Sequence, residues 1–232
     1  GIILARLLTP KEFGLIGMLA IFIAISESFI NSGFSQALIR KQDCTQKDYS
    51  TVFYFNIVVG VFFYLLLFAT AGAIANFFHE PILKQLIRVL GLSLIINSFT
   101  LIQTTILTKR IDFKLQAKIS VIASLLSGII GIGMAYTGWG VWSLVARITW
   151  GFFFSSMLLW HWNKWKPALV FSIASFKELF NFGVKLHITF LINTIYRNIY
   201  YVIIGKYFTA VELGYYTRAE QFQSLPSSYL QG

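Results

Sequence analysis

Residues 52–75 read VFYFNIVVGVFFYLLLFATAGAIA, twenty-four positions without a charged side chain. About 20 such residues, rising about 1.5 Å each as a helix, cross the roughly 30 Å hydrocarbon core of a bilayer. Comparable stretches occupy 13–34, 86–106, 115–136, 139–160 and 180–204, and partial ones 1–8 and 213–232. Backbone in lipid must satisfy its own hydrogen bonds, which leaves helices or closed barrels. Barrel strands alternate in polarity over about ten residues, and these runs do not. The prediction is an all-α, polytopic transmembrane helical bundle with six complete spans and two partial ones, numbered helices 1 to 8.

Composition removes the soluble alternative. Of the 232 residues 12% are charged and 56% hydrophobic, with mean hydropathy +0.69, whereas soluble domains are about 25% charged. The net charge of +10 would suggest a nucleic-acid partner in a soluble chain. Here most basic residues fall between the apolar runs, so no nucleic-acid partner is expected. Cys44 is the single cysteine, and His79, His161 and His187 are scattered. No metal site and no cofactor are predicted. The chain opens on Gly1 and closes within an apparent element at Tyr229-Leu230-Gln231-Gly232, and is expected to be a fragment.

Two features test the span assignment. Trp142 and Trp160, near the two ends of helix 6, lie about 27 Å apart along a helix, which suits two aromatic interface belts. Alternate loops also differ in charge. Arg40, Lys41, Lys47, Lys109, Arg110, Lys114, Lys118, Lys164, Lys166 and Lys177 fall on one side, against Arg6, Lys11, Lys84, Arg88 and Lys206 on the other. Ten against five places the first side in the cytoplasm.

A repeat links the ends of the chain. GIILARLLTPKEFGL at 1–15 and YVIIGKYFTAVELGY at 201–215 share isoleucine (Ile3, Ile203), threonine (Thr9, Thr209), glutamate (Glu12, Glu212) and glycine (Gly14, Gly214) at a constant offset of 200. Thr-x-x-Glu is a capping box opening the next helix, so reuse of a common device is the plain alternative. A true repeat of six helices preserves orientation, a recurrent transporter plan. The expected division is an N-terminal lobe over 1–178, with helices 1 to 6, and the start of a second parallel-repeat lobe over 179–232. The whole protein would then be roughly twice this length.

The segments LLTPKEFGLIGM, GFSQALIRKQDCTQKDYSTVFYFN, GWGVWSLV and IGKYFTAVELGYYTRAEQFQSLP resemble the polysaccharide transporter family. That family holds the Wzx-type O-antigen, colanic-acid and teichuronic-acid exporters of the multidrug/oligosaccharidyl-lipid/polysaccharide exporter superfamily. The resemblance runs over nearly the whole chain, and LGYYTRA…LP is its most specific part. It implies two six-helix lobes around a central cavity in the bacterial cytoplasmic (inner) membrane. It implies alternating-access flipping of an undecaprenyl-pyrophosphate-linked oligosaccharide for surface polysaccharide biosynthesis, with a polysaccharide polymerase and a ligase as partners. No enzyme activity is implied. The resemblance also calls for an acidic residue near Tyr200 and Tyr201, and the adjacent sequence has none.

Ionisable groups at the centre of a span cost at least about 2.5–3.5 kcal/mol, so each needs a reason. Lys185, Thr189, Asn193 and Arg197 recur every four residues along helix 7, with Tyr196 and Tyr200 beside them. They form one slowly turning polar stripe. Such a stripe suits a pyrophosphate and sugar rings, since arginine grips phosphate oxygens through two donors. Snorkelling to the interface is the plain reading for Lys185. Glu27 and Asn31 in helix 2 are candidates for ion coupling, or for a wall of a wet cavity. Arg147, within helix 6, is a further candidate substrate group; Glu27 lies about 9 Å deeper, counted by helical rise. Arg110, Lys114 and Lys118 read as a topology determinant or an anionic-lipid face, and Gly128, Gly131 and Gly133 as small residues for close helix packing.

The in-span charges favour an anionic substrate. A multidrug or cation exporter of the same superfamily is the nearest alternative. A membrane polymerase or acyltransferase would need an acid–base pair in a sizeable loop, and the longest connection, 161–179, lacks a convincing one.

Overall fold

A computed structural model describes residues 2–31 and 33–230. Among them every regular element is an α-helix: α1 Ile2–Leu7, α2 Pro10–Asn31, α3 Phe34–Arg40, α4 Gln46–Phe78, α5 Leu83–Leu90, α6 Leu92–Lys109, α7 Phe113–Tyr136, α8 Val141–Asn163, α9 Ile173–Tyr207 and α10 Ala210–Leu230. Side-chain caps start several of them. Thr45 and Asp48 form a reciprocal capping box at α4, with Thr45 N donating to Asp48 Oδ2 at 2.8 Å. Asp112 accepts from Leu115 N at 3.1 Å to open α7, and Ser172 accepts from Ser175 N at 3.2 Å to open α9.

Among the described residues five stretches are long and apolar enough to span a bilayer: Pro10–Arg40, Gln46–Phe78, Leu83–Lys109, Phe113–Tyr136 and Val141–Asn163. The bundle is therefore an all-α, multi-pass membrane fold. Three expectations change. The sixth predicted span, 180–204, lies within α9, whose 35 residues suffice in length. It falls short on apolarity, because Lys185, Arg197 and the amides of Asn181, Asn193 and Asn198 interrupt the run. The span predicted at 13–34 is two helices. The chain leaves α2 at Asn31 and re-enters helix at Phe34, with Gly33 in the left-handed region at φ 68°. Predicted helix 4 divides more gently, at Gly91, which keeps right-handed helical angles.

Lipid-facing and core-facing surfaces are distinct. On α4, Val58, Phe62, Leu65 and Leu66 are exposed, as are Val121, Leu125 and Ile129 on α7. A water-facing surface would not tolerate such a band, but lipid does. Inside, Met18, Leu19, Leu83, Leu86, Ile87, Leu94 and Leu213 are fully buried and join α2, α5, α6 and α10 in one core. At the end carrying the basic loops (the basic end), Phe53 is ringed edge-on by Phe99, Trp160 and Trp165 at 5.8–5.9 Å.

The repeated segments pack against each other at the opposite end. α2 and α10 run parallel and cross at Gly14 and Gly214. A Cβ on Gly14 would overlap the Ala210 carbonyl oxygen, and one on Gly214 would overlap that of Pro10. Ala210 and Pro10 are themselves 200 residues apart, so the contact is self-complementary, each copy presenting the same patch to the other. The two caps match as well: Thr9 N donates to Glu12 Oε2 at 2.6 Å and Thr209 N to Glu212 Oε2 at 2.7 Å.

Candidate functional site

Below the crossing, toward the basic end, α2 and α9 diverge around a cavity of about 540 Å³. Glu27, Ser28 and Asn31 line it from α2, Gln36 from α3, and Asn193, Thr194, Arg197 and Asn198 from α9. The spacing is that of one helix face on each side, i, i+3/i+4, i+7. A volume of this size lies within the roughly 300–1,000 Å³ of small-molecule sites. One carboxylate, one guanidinium and several amides face one another there. Glu27 and Arg197 do not pair directly: among the described residues, the ion pairs within 4 Å all lie outside the cavity.

The break in helix 2 shapes the cavity floor. Gly33 meets the backbone of Gly183 so closely that a Cβ would overlap its carbonyl oxygen. That approach brings α3 against α9 at the basic end. There Lys41 bridges Glu178 at 2.9 Å and Asp48 at 3.3 Å, and the Arg40 guanidinium sits 4.4 Å over the Phe182 ring. Asp48 also accepts from Thr45 N at 2.8 Å and from Thr45 Oγ1 at 3.0 Å. The Glu178 hydrogen bond leads in raising the Lys41 ammonium above its ordinary value. That shift favours the charged pair.

The predicted site residues separate into three places. Asn193, Arg197, Glu27 and Asn31 line the cavity together. Lys185 and Thr189 are exposed on α9 nearer the basic end and do not line it. The stripe turns slowly enough that only its second half faces α2. Arg147 lies in a different groove, of about 330 Å³, between α7 and α8, and makes no ion pair with Glu27. Tyr196 and Tyr200 remain exposed beside the stripe.

Other readings change too. The acidic residue missing near Tyr201 comes from across the helix pair: the Tyr201 hydroxyl donates to Glu220 of α10. A window along one helix cannot see that partner. Of the three α7 glycines only Gly131 is packed, a Cβ there lying 2.8 Å from Arg147 Cβ, while Gly128 and Gly133 face open space. Lys118 covers the Trp162 ring at 4.5 Å, and Arg110 reaches Asn163 at 3.4 Å. Cys44 is a free thiol held beside the end of α3, with Lys109 Nζ at 2.9 Å from its sulfur.

Comparison with known proteins adds to this geometry. The family model described as "Polysaccharide biosynthesis protein" matches residues 3–232. The teichuronic acid biosynthesis protein TuaB of Bacillus subtilis is 29% identical over 229 residues, 97% of this chain and 47% of that protein. The succinoglycan biosynthesis transport protein ExoT of Rhizobium meliloti is 26% identical, covering 97% of this chain and 46% of the relative. The lipopolysaccharide biosynthesis protein WzxC of Escherichia coli is 21% identical over the same shares. The chain thus spans about half the length of these relatives. No solved structure matches it.

Proposed function

The chain belongs to the polysaccharide biosynthesis protein family as a multi-pass protein of the bacterial cytoplasmic membrane, and from that premise we propose that it flips a polyprenyl-pyrophosphate-linked oligosaccharide between leaflets. The carrier fitting that chemistry is undecaprenyl pyrophosphate. The observation that carries the reading is the α2–α9 cavity, where Arg197 stands among Asn31, Asn193 and Asn198 with no carboxylate paired to it among the described residues. A guanidinium left free takes a pyrophosphate through two parallel donors, and amides suit sugar hydroxyls. Glu27, with Asn31 beside it, is the proposed ion-coupling group. Lys185 and Thr189 would guide the anion inward from the basic end. Transport of this kind needs no cofactor and no catalytic group of the chain.

A two-lobe architecture accompanies the proposal, with 1–178 as the first lobe and 179–232 opening its parallel twin. Its support is the offset of 200, the matched caps and the self-complementary glycine crossing. Glu27 in the same cavity is what favours the second reading, export of a cationic drug.

Mass spectrometry of membrane lipids in a host carrying the full-length protein separates the readings. Arg197→Gln should make undecaprenyl-linked oligosaccharide accumulate while surface polymer falls, and Lys185→Gln should do so weakly. Flat lipid levels with unchanged polymer in Arg197→Gln would remove the site claim, and drug sensitivity in Glu27→Gln would move the assignment to the exporter.

A further inference from the structure

The α7–α8 groove plays no part in the cavity above, yet it places a cation at membrane depth. Arg147 stands six residues past Val141, the start of α8, about 9 Å from that end of the helix. Among the described residues no carboxylate lies within 4 Å of it. The same groove is lined by Ser120, Ser124, Ser127 and Ser155. Ser93, Ser98 and Ser143 elsewhere back-bond to helix carbonyls at 2.6 Å. Among the described residues only Ser127 of the groove serines does so, and loosely, at 3.3 Å. A guanidinium without a counter-ion, in a groove lined with hydroxyls, is a donor set suited to an anion.

The groove's shape selects the kind of anion. Gly131 allows the Arg147 stem to lie flat on α7, and a Cβ on Gly151 would already touch Ser127 Oγ at 3.5 Å, so a larger side chain there would fill the slot. Ala123 on α7 and Ile148 and Phe152 on α8 give it apolar walls. A polar centre between apolar walls fits a headgroup whose chains remain in the bilayer. Arginine at this depth reaches the phosphate level by snorkelling. We propose that the groove binds the phosphate of an anionic lipid, gripped by Arg147, in the half of the bilayer away from the basic loops. The phosphate belongs either to bulk phospholipid or to a polyprenyl carrier. Ile148 separates this groove from a smaller cavity of about 280 Å³ that shares Glu27 and Asn198 with the main one. A bound headgroup would therefore sit one side chain away from the connected cavities.

Native mass spectrometry on the purified full-length protein tests this, with phosphatidylglycerol and undecaprenyl phosphate as probes and diacylglycerol as a neutral control. Wild type should retain the phosphate lipids over diacylglycerol. Arg147→Gln should lower their occupancy about tenfold, the size of one lost charge-assisted contact. Gly151→Leu fills the slot with Arg147 intact and should give the same loss, which covers the case of Arg147→Gln failing to fold. Retention of both probes assigns the phosphate to any anionic lipid, and retention of undecaprenyl phosphate alone assigns it to the carrier. Equal occupancy in wild type and both groove variants overturns the proposal. Since binding is read without transport, that failure leaves the flipping reading to its own test.

Discussion

The two ends of the bundle are closed by different chemistry. Away from the basic loops, α2 and α10 meet backbone to backbone through Gly14 and Gly214. At the basic end, α3 and α9 share one close glycine approach, but Lys41, Glu178, Arg40 and Phe182 do much of the joining. The first contact is steric and has no partner to exchange. The second can swap partners, because an ammonium held by a carboxylate can be taken by another anion. A transporter that opens alternately to two sides would find the side-chain end the easier to regulate, and the glycine end the more nearly all-or-none.

The comparison breaks most severely at the glycines. Gly14→Leu or Gly214→Leu drives a side chain into a helix backbone and should cost about 3 kcal/mol or more, read as lost thermal stability of the full-length protein in detergent. Full stability in both variants would show that the crossing is loose. Next comes Lys41→Met, which strips the ammonium from Asp48, a side chain only 2% exposed. The expected cost is about 2 kcal/mol, moderated because Thr45 still bonds the carboxylate.

pH should also tell the ends apart. Lys41 is raised, so its share holds below about pH 10 and fades only as pH rises past the folded value. The tethering of α3 to α9, read by cysteine cross-linking, should therefore weaken above about pH 10 while the glycine crossing holds. Glu212, lowered by its bonds from Thr209, makes the α10 cap sensitive to acid instead, though it lies outside the crossing itself. The smallest effect belongs to Glu178→Gln. Glu178 is 60% exposed, and its loss should change stability by less than about 1 kcal/mol. A larger loss would mean that Lys41 depends on Glu178 more than on Asp48.

Much of the fold was legible because lipid leaves a chain few choices. The run at 52–75 falls inside α4 and 115–136 nearly coincides with α7, since uninterrupted apolarity at that length has one solution. The left-handed turn at Gly33 had a local signal in the glycine itself, just after Asn31, but apolar continuity on both sides masked it. The cavity was legible only as two halves. Glu27 with Asn31, and Asn193 with Arg197, each stood out as polar groups in a span, but their meeting depends on α2 pairing with a helix more than 150 residues later. Glu220 was hidden for the same reason. Arg147 shows the converse, since its depth could be counted along α8 while the neighbour it faces could not.

The glycine crossing also sets a timetable. Gly14 and Gly214 are 200 residues apart, which at about 5–20 residues per second is about 10–40 s of synthesis. Until α10 has been made, the segment that covers Gly14 in the finished bundle does not yet exist. Assembly of this bundle must therefore finish late, and any factor that shields exposed helix faces in the membrane has its clearest client at α2 before α10 arrives.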